Sequence, residues 1–228
     1  MLSEGGGIGT LVYEGLAPTQ KEAGALALAA GVDVGISLES GYMLDLLARS
    51  PPRTKGHRDM KLAIVYHSET GHTKQMAELV AQGCLSVPGV EVKCMPVDNV
   101  DESYVTEARA VVFGSPTYEG SCSWQMKRYL DTGPKGLAGK LAGVFVSQNW
   151  PGGGGASFAE MTIIAALLVH GMIVYSGGIS VGTPYLHFGA VSRKAPEEDL
   201  YRARCIKLGE NIARKALELF GKDQARPV

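Results

Sequence analysis

Long apolar runs are missing from this chain. No stretch of its 228 residues approaches the roughly 20 consecutive apolar positions of a membrane span, so no spanning segment is expected. An excess of either charge is missing too. With 22 Lys/Arg against 23 Asp/Glu the formal net charge is −1, which argues against a nucleic-acid partner, because tracking phosphates takes a basic excess. Cysteine is scarce: Cys84, Cys94, Cys122 and Cys205 make no C-x-x-C pair and no cluster with metal-ligand spacing. No metal site is expected, and the thiols read as reduced, mostly buried filler of an intracellular protein. The opening MLSEGGGIGT lacks the basic-then-apolar order of a signal peptide, so the expected location is cytoplasmic.

The chain divides at RSPPRTKGHRDM, where Pro51-Pro52 ends any helix before it and basic residues follow without apolar periodicity. Residues 1–59 form the smaller part. Thr19-Gln-Lys-Glu22 reads as a capping box opening an alanine-rich helix that Gly31 stops, and a second short helix is predicted through GYMLDLLARS. Two short helices bury little, so this part is an appendage to the remainder.

Residues 60–228 are more regular. Apolar strands KLAIVY, VEVKCMPV, AVVFGS, LAGVFVSQ and MIVYSGG alternate with helices predicted to begin near Gly71, Ser121, Ala156 and Pro196, with a shorter one near Asp101. Continuous apolar strands mean burial on both faces. The fold class predicted is α/β, a doubly wound five-stranded parallel sheet of order 2-1-3-4-5. This part carries 17 Lys/Arg against 16 Asp/Glu and is close to neutral.

Ligands of such sheets bind beyond the carboxyl ends of the strands, where three loops converge. The first, SETGHT after KLAIVY, sets Ser68, Glu69, Thr70, Gly71, His72 and Thr73 at a helix start. Free N–H groups, the positive end of the helix dipole and three hydroxyls suit a terminal monophosphate. A capped helix with surplus hydroxyls is the alternative. The second loop carries Pro116, Thr117, Tyr118, Glu119 and Gly120, expected to turn backbone groups toward a cleft, with Tyr118 offering a flat face to a ring. A half-buried loop tyrosine, a solvated Glu119 and a packing role for Trp124 are the plainer readings. In the third, Ser147, Gln148, Asn149, Trp150, Pro151 and Gly152 open a run of four glycines, which lets backbone approach a planar ligand. Phosphate, ring held edge-on and glycine wall together fit a mononucleotide with an isoalloxazine ring. No catalytic side chain is predicted.

The stretches YHSETGHTKQMAELVAQG, FGSPTYEGSCSWQMKRYLDTGP, SQNWPGGGG, LLVHGMIV and GTPYLHFGAVS resemble the flavodoxin-like superfamily, and within it the WrbA-type NAD(P)H:quinone oxidoreductases, over residues 60–221. Ser68 to Thr73 match the phosphate loop, Pro116 to Gly120 the ring-edge loop and Ser147 to Gly152 the next one. The resemblance implies FMN as cofactor, NADH or NADPH as transient donor, a quinone or other small-molecule acceptor, and a homo-oligomer (dimer or tetramer). It also implies that His170 approaches the flavin from the same or a neighbouring subunit, although a histidine before a strand is more often structural. The residues depart from the WrbA type in three places, one of them the connection DTGPKGLAGK, which is shorter than the tryptophan-bearing segment often found there. Thr70 stands where a tyrosine is usual, as in flavodoxins, and Glu119 replaces an aromatic residue. An electron-transfer protein of flavodoxin type, without nicotinamide reactivity, is therefore the alternative function. An acidic cluster for a receiver domain is absent, as is the Cys–Arg pair of a low-molecular-weight phosphatase. PTQKEAGALALAAGVDV with YMLDLLARS resembles a fragment of a family 3 glycoside hydrolase barrel. That fragment lacks the catalytic aspartate motif, and Glu14, Asp33, Glu39 and Asp45 have no scaffold to set two carboxyls across a sugar, so it reads as inactive.

Overall fold

The structure is a computed structural model and describes residues 59–133, 135–150 and 155–221. The expected helices of the N-terminal appendage lie outside the described residues.

Among the described residues, parallel strands fill five positions in the sheet. Strands β1 (Met60–Tyr66), β2 (Val90–Pro96), β3 (Ala110–Tyr118) and β5 (Leu141–Gln148) lie in the order β2-β1-β3-β5, as the apolar runs predict. Each is followed by a helix: α1 (His72–Leu85), α2 (Glu102–Glu107), α3 (Trp124–Thr132) and α4 (Gly155–Val169). The remaining position differs from the expected single strand MIVYSGG. It is divided between β6 (Ile173–Val174), which pairs with Leu141 and Ala142, and β7 (Ala190–Arg193), which pairs with Phe145 to Gln148. Between them the chain leaves the sheet, because Gly177 and Gly178 take positive φ and Ser176 turns to local partners. Its hydroxyl donates to the His187 carbonyl and its carbonyl accepts from Asn211. The two pieces together occupy the fifth place of a flavodoxin-like α/β sheet.

Strand alternation divides the core into two layers. Leu62, Ile64 and Val112 face α1 and the last helix, α5 (Asp199–Phe220), whereas Ala63, Val65 and Val111 face α2, α3 and α4. Helices α1 and α5 meet backbone to backbone: a Cβ added at Gly83 would stand 1.9 Å from the Ile206 carbonyl oxygen. One at Gly209 would stand 2.0 Å from that of Val80. Of the cysteines, Cys84, Cys122 and Cys205 are buried as expected, and Cys94 is exposed on the edge strand β2. Among the described residues no helix is long and apolar enough to cross a membrane.

Helix α4 carries one charged residue, Glu160, and it is 2% exposed. Burial pushes its carboxyl up to about 7. The unfolded chain releases that proton near 4.5, so stability falls as pH rises from about 4.5 to 7 and is level above. The span corresponds to about 3 kcal/mol. Glu160→Gln removes this slope. Its melting temperature relative to wild type should rise between pH 4.5 and pH 8, and a constant offset would contradict the burial argument.

Candidate cofactor site

The carboxyl ends of β1, β3 and β5 bring the three predicted loops together. After β1 the chain is held at His67, whose N–H donates to the Gly114 carbonyl at 2.9 Å. Gly71 then takes φ 89 and starts α1 with no side-chain cap. A left-handed φ is what glycine permits at this turn. The hydroxyls are therefore not capping the helix. Ser68 Oγ is buried with no hydrogen-bond partner, Thr70 is exposed, and Thr73 Oγ1 lies 2.9 Å from Ser147 Oγ.

These groups line a cavity of about 130 Å³ together with Pro116, Thr117 and Asn149. Thr117 Oγ1 is a second buried hydroxyl without a partner. Two orphaned hydroxyls and uncapped helix N–H groups around one small space form a donor set for a tetrahedral oxyanion. Glu69 and His72 stand at the rim of the same cavity.

The second loop is tighter than expected. Instead of an open turn, β3 pairs with β4 (Ser121–Cys122) as a hairpin, Thr117 opposite Cys122 and Tyr118 opposite Ser121. Only Glu119 and Gly120 form the turn, at φ 48 and φ 74, the double positive φ of a type I′ connection. Ser115 Oγ fixes the hairpin from below by accepting from the Ser123 N–H at 2.9 Å, and Ser123 Oγ caps α3 by accepting from Met126. Pro116 is buried within β3, opposite Ser147. Tyr118 is 39% exposed, and its hydroxyl donates to Glu69 Oε2 at 3.1 Å, tying the first loop to the second. Burial, then this carboxylate, pushes the phenol's pKa up.

A larger cavity of about 630 Å³ continues from the small one. Both are bounded by Thr117, Tyr118, Gln148 and Asn149, and the larger adds Glu119, Gly120, Trp150 and Gly155. The arrangement is a small oxyanion pocket opening into a broad one with a tyrosine at the junction. Gln148 Oε1 accepts from the Ala156 N–H at 3.2 Å in the first turn of α4. Trp124, expected to pack, is 64% exposed. Pro151 and Gly152 lie outside the described residues.

His170 is not brought here within the chain. It follows α4, and its Nε2 lies 2.7 Å from the Leu130 carbonyl oxygen. Three residues later Ile173 pairs with Leu141, the first residue of β5, whereas the cavities lie beyond Gln148, the last. The helix returns the chain to the opposite end of the sheet.

Comparison with known proteins agrees with this geometry. The flavodoxin family profile matches residues 64–161. A flavodoxin of Clostridium saccharobutylicum is 39% identical over 163 residues, covering 71% of this chain and 100% of that protein. An NAD(P)H dehydrogenase (quinone) of Geobacter sulfurreducens is 36% identical over 161 residues, covering 57% of this chain and 75% of its own length. Among solved structures, a flavodoxin from the domain Archaea superposes with a TM-score of 0.55 at 27% identity, over 69% of this chain and 99% of that one. The chain belongs to the flavodoxin family.

Proposed function

We propose that residues 60–228 bind FMN and act as an oxidoreductase that takes electrons from NADH or NADPH and delivers them to a quinone. The observation that carries the FMN assignment is the pair of orphaned hydroxyls, Ser68 and Thr117, in an oxyanion pocket that opens into a cavity broad enough for a flat ring. Bound there, FMN supplies the electron transfer at its ring, and the protein supplies position and environment. Ser68, Thr70 and the first N–H groups of α1 hold the phosphate. The Glu119-Gly120 turn presents backbone to the ring edge, and Tyr118 flanks the ring. The enzyme reading is supported by the larger cavity, whose walls Tyr118 and Trp150 are 39% and 81% exposed and leave room for a second flat molecule. It is supported also by the likeness to the quinone dehydrogenase and by the near-neutral charge of this part.

The flavodoxin likeness favours the second reading, an electron-transfer protein without nicotinamide reactivity. Anaerobic addition of NADPH or NADH to the FMN-loaded protein separates the two. Loss of the visible flavin absorbance, followed by its return on adding a quinone, is expected of the oxidoreductase. An unchanged spectrum assigns the carrier role.

The outer face of α4 supports a homo-oligomer. Phe158, Met161, Leu168 and Val169 are exposed on a helix that is apolar all round, a pattern that belongs to buried helices. The proposed occupant is a second copy: an uncharged face pairs with itself across a two-fold axis. Antiparallel pairing of two 15-residue helices would carry His170 of the partner subunit about 22 Å back toward the ring cavity. Phe158→Glu with Leu168→Glu is expected to give a monomer by light scattering, and an unchanged mass would remove α4 from the interface.

A further inference from the structure

A second cavity, away from the cofactor cleft, lies where α4 and α5 meet the edge of the sheet at β7. It measures about 200 Å³ and is lined by Ser157, Glu160, Tyr185, His187, Phe188 and Arg204. Two of its polar groups are anomalous. Glu160 is 2% exposed and its Oε1 has no hydrogen-bond partner; Arg204 Nε is buried and has none either. The two line one space from opposite layers of the fold and do not bond to each other. Buried polar groups without a partner are uncommon in native structures, and a bound ion or molecule is one of the things that completes them. The backbone is fitted closely around the carboxyl: a Cβ at Gly189 would come within 2.9 Å of Glu160 Oε1 and 2.0 Å of the Val144 carbonyl oxygen.

We propose that this cavity is a second binding site and takes a small organic carboxylate between Arg204 and Glu160. The guanidinium is a planar cation whose Nε–H and a neighbouring Nη–H form the fork that accepts a carboxylate edge-on. An ammonium ligand would meet that same cation. Burial pushes the Glu160 carboxyl up to about 7, so below that pH it is protonated and donates a hydrogen bond to the anion. The groups facing it across the cavity are Arg204 from α5 and Tyr185 and His187 from the segment between β6 and β7. The rings of Tyr185 and Phe188, each about half exposed, stand beside this pair and offer apolar faces to the body of the ligand. The site does not depend on the redox reading.

The test uses the full chain as purified, with FMN added, and three aromatic probes of similar size followed by saturation-transfer NMR: benzoate, benzamide and benzylammonium. Benzoate is expected to bind at least about tenfold more tightly than benzamide, and benzylammonium not at all. Arg204→Gln should weaken benzoate about tenfold or more with the flavin spectrum unchanged. Should that variant fail to fold, Arg204→Lys keeps the charge without the fork, and the same loss is expected of it. Glu160→Gln should retain affinity within about threefold, because its amide N–H replaces the carboxyl proton. The proposal is overturned by absence of a benzoate signal, which would mean a cavity filled by water alone. Equal affinity for benzoate and benzamide would overturn it as well, and so would benzoate binding that neither arginine variant changes.

Discussion

Replacing Ser68, Thr70 and Thr73 together by alanine is expected to weaken FMN binding by between about a hundredfold and a thousandfold and to leave riboflavin binding unchanged. Hydrogen bonds to a charged group contribute about 1.5 kcal/mol or more each, so three would reach about a thousandfold. The lower bound allows for Thr73, whose hydroxyl is already shared with Ser147, and for Thr70, which is exposed. The N–H groups that open α1 survive the substitution, which keeps the loss finite. Riboflavin has no phosphate and never meets these hydroxyls. Titration followed by quenching of flavin fluorescence gives both constants. An equal loss for the two flavins would mean that the loop itself has collapsed. No loss for FMN would place the phosphate elsewhere.

Gly209→Val is expected to destabilise the protein by about 3 kcal/mol or more. At an exposed helix position, glycine to alanine stabilises by about 1 kcal/mol, and the sign reverses here for a steric reason. Any Cβ at residue 209 would stand 2.0 Å from the Val80 carbonyl oxygen and 2.8 Å from the Cys84 nitrogen, both of them backbone atoms that cannot swing aside. The contact is reciprocal, since Gly83 admits the Ile206 carbonyl in the same way, so the two helices must separate to accept a side chain. Separation also tilts α1, whose first turn is the oxyanion pocket. FMN affinity should therefore fall together with the urea midpoint. A Gly209→Ala protein as stable as wild type would show that the crossing is looser than described.

Much of this fold is legible in the sequence because its central strands are buried on both faces. KLAIVY, AVVFGS and LAGVFVSQ are continuous apolar runs, and α1, α3 and α4 begin within three residues of the positions that Gly71, Ser121 and Ala156 mark. The edge was not legible. Strand β6 has two residues and β7 four, too short for a period to show, and they pair only because β5 is already in place. The hairpin at Glu119-Gly120 lacks the Asn-Gly or Asp-Gly signal that would have announced a type I′ turn.

The site shows the same division. Loop composition marks Ser68, Thr70, Thr73, Tyr118 and Asn149, and these do meet. Whether a hydroxyl caps a helix or is left unpartnered depends on one backbone angle at Gly71, which composition does not contain. The placement of His170 could have been anticipated. A crossover helix returns the chain to the end where the strands begin, so a residue immediately before a strand stands opposite the ligand-binding end. The meetings of Gly83 with Ile206 and of Gly209 with Val80, and the sharing of one cavity by Glu160 and Arg204, bring together residues far apart in sequence and leave no local trace.

The central claim is that the pocket opened by Ser68, Gly71 and Thr117 holds the phosphate of a flavin mononucleotide. It is tested most directly by titrating flavin-free full-length protein with FMN and with riboflavin while recording the visible spectrum and the fluorescence. Saturation at one FMN per chain, with shifted absorption bands and markedly weaker binding of riboflavin, is the predicted result. FMN that keeps its free-solution spectrum in the presence of excess protein, or that binds no more tightly than riboflavin, would contradict it.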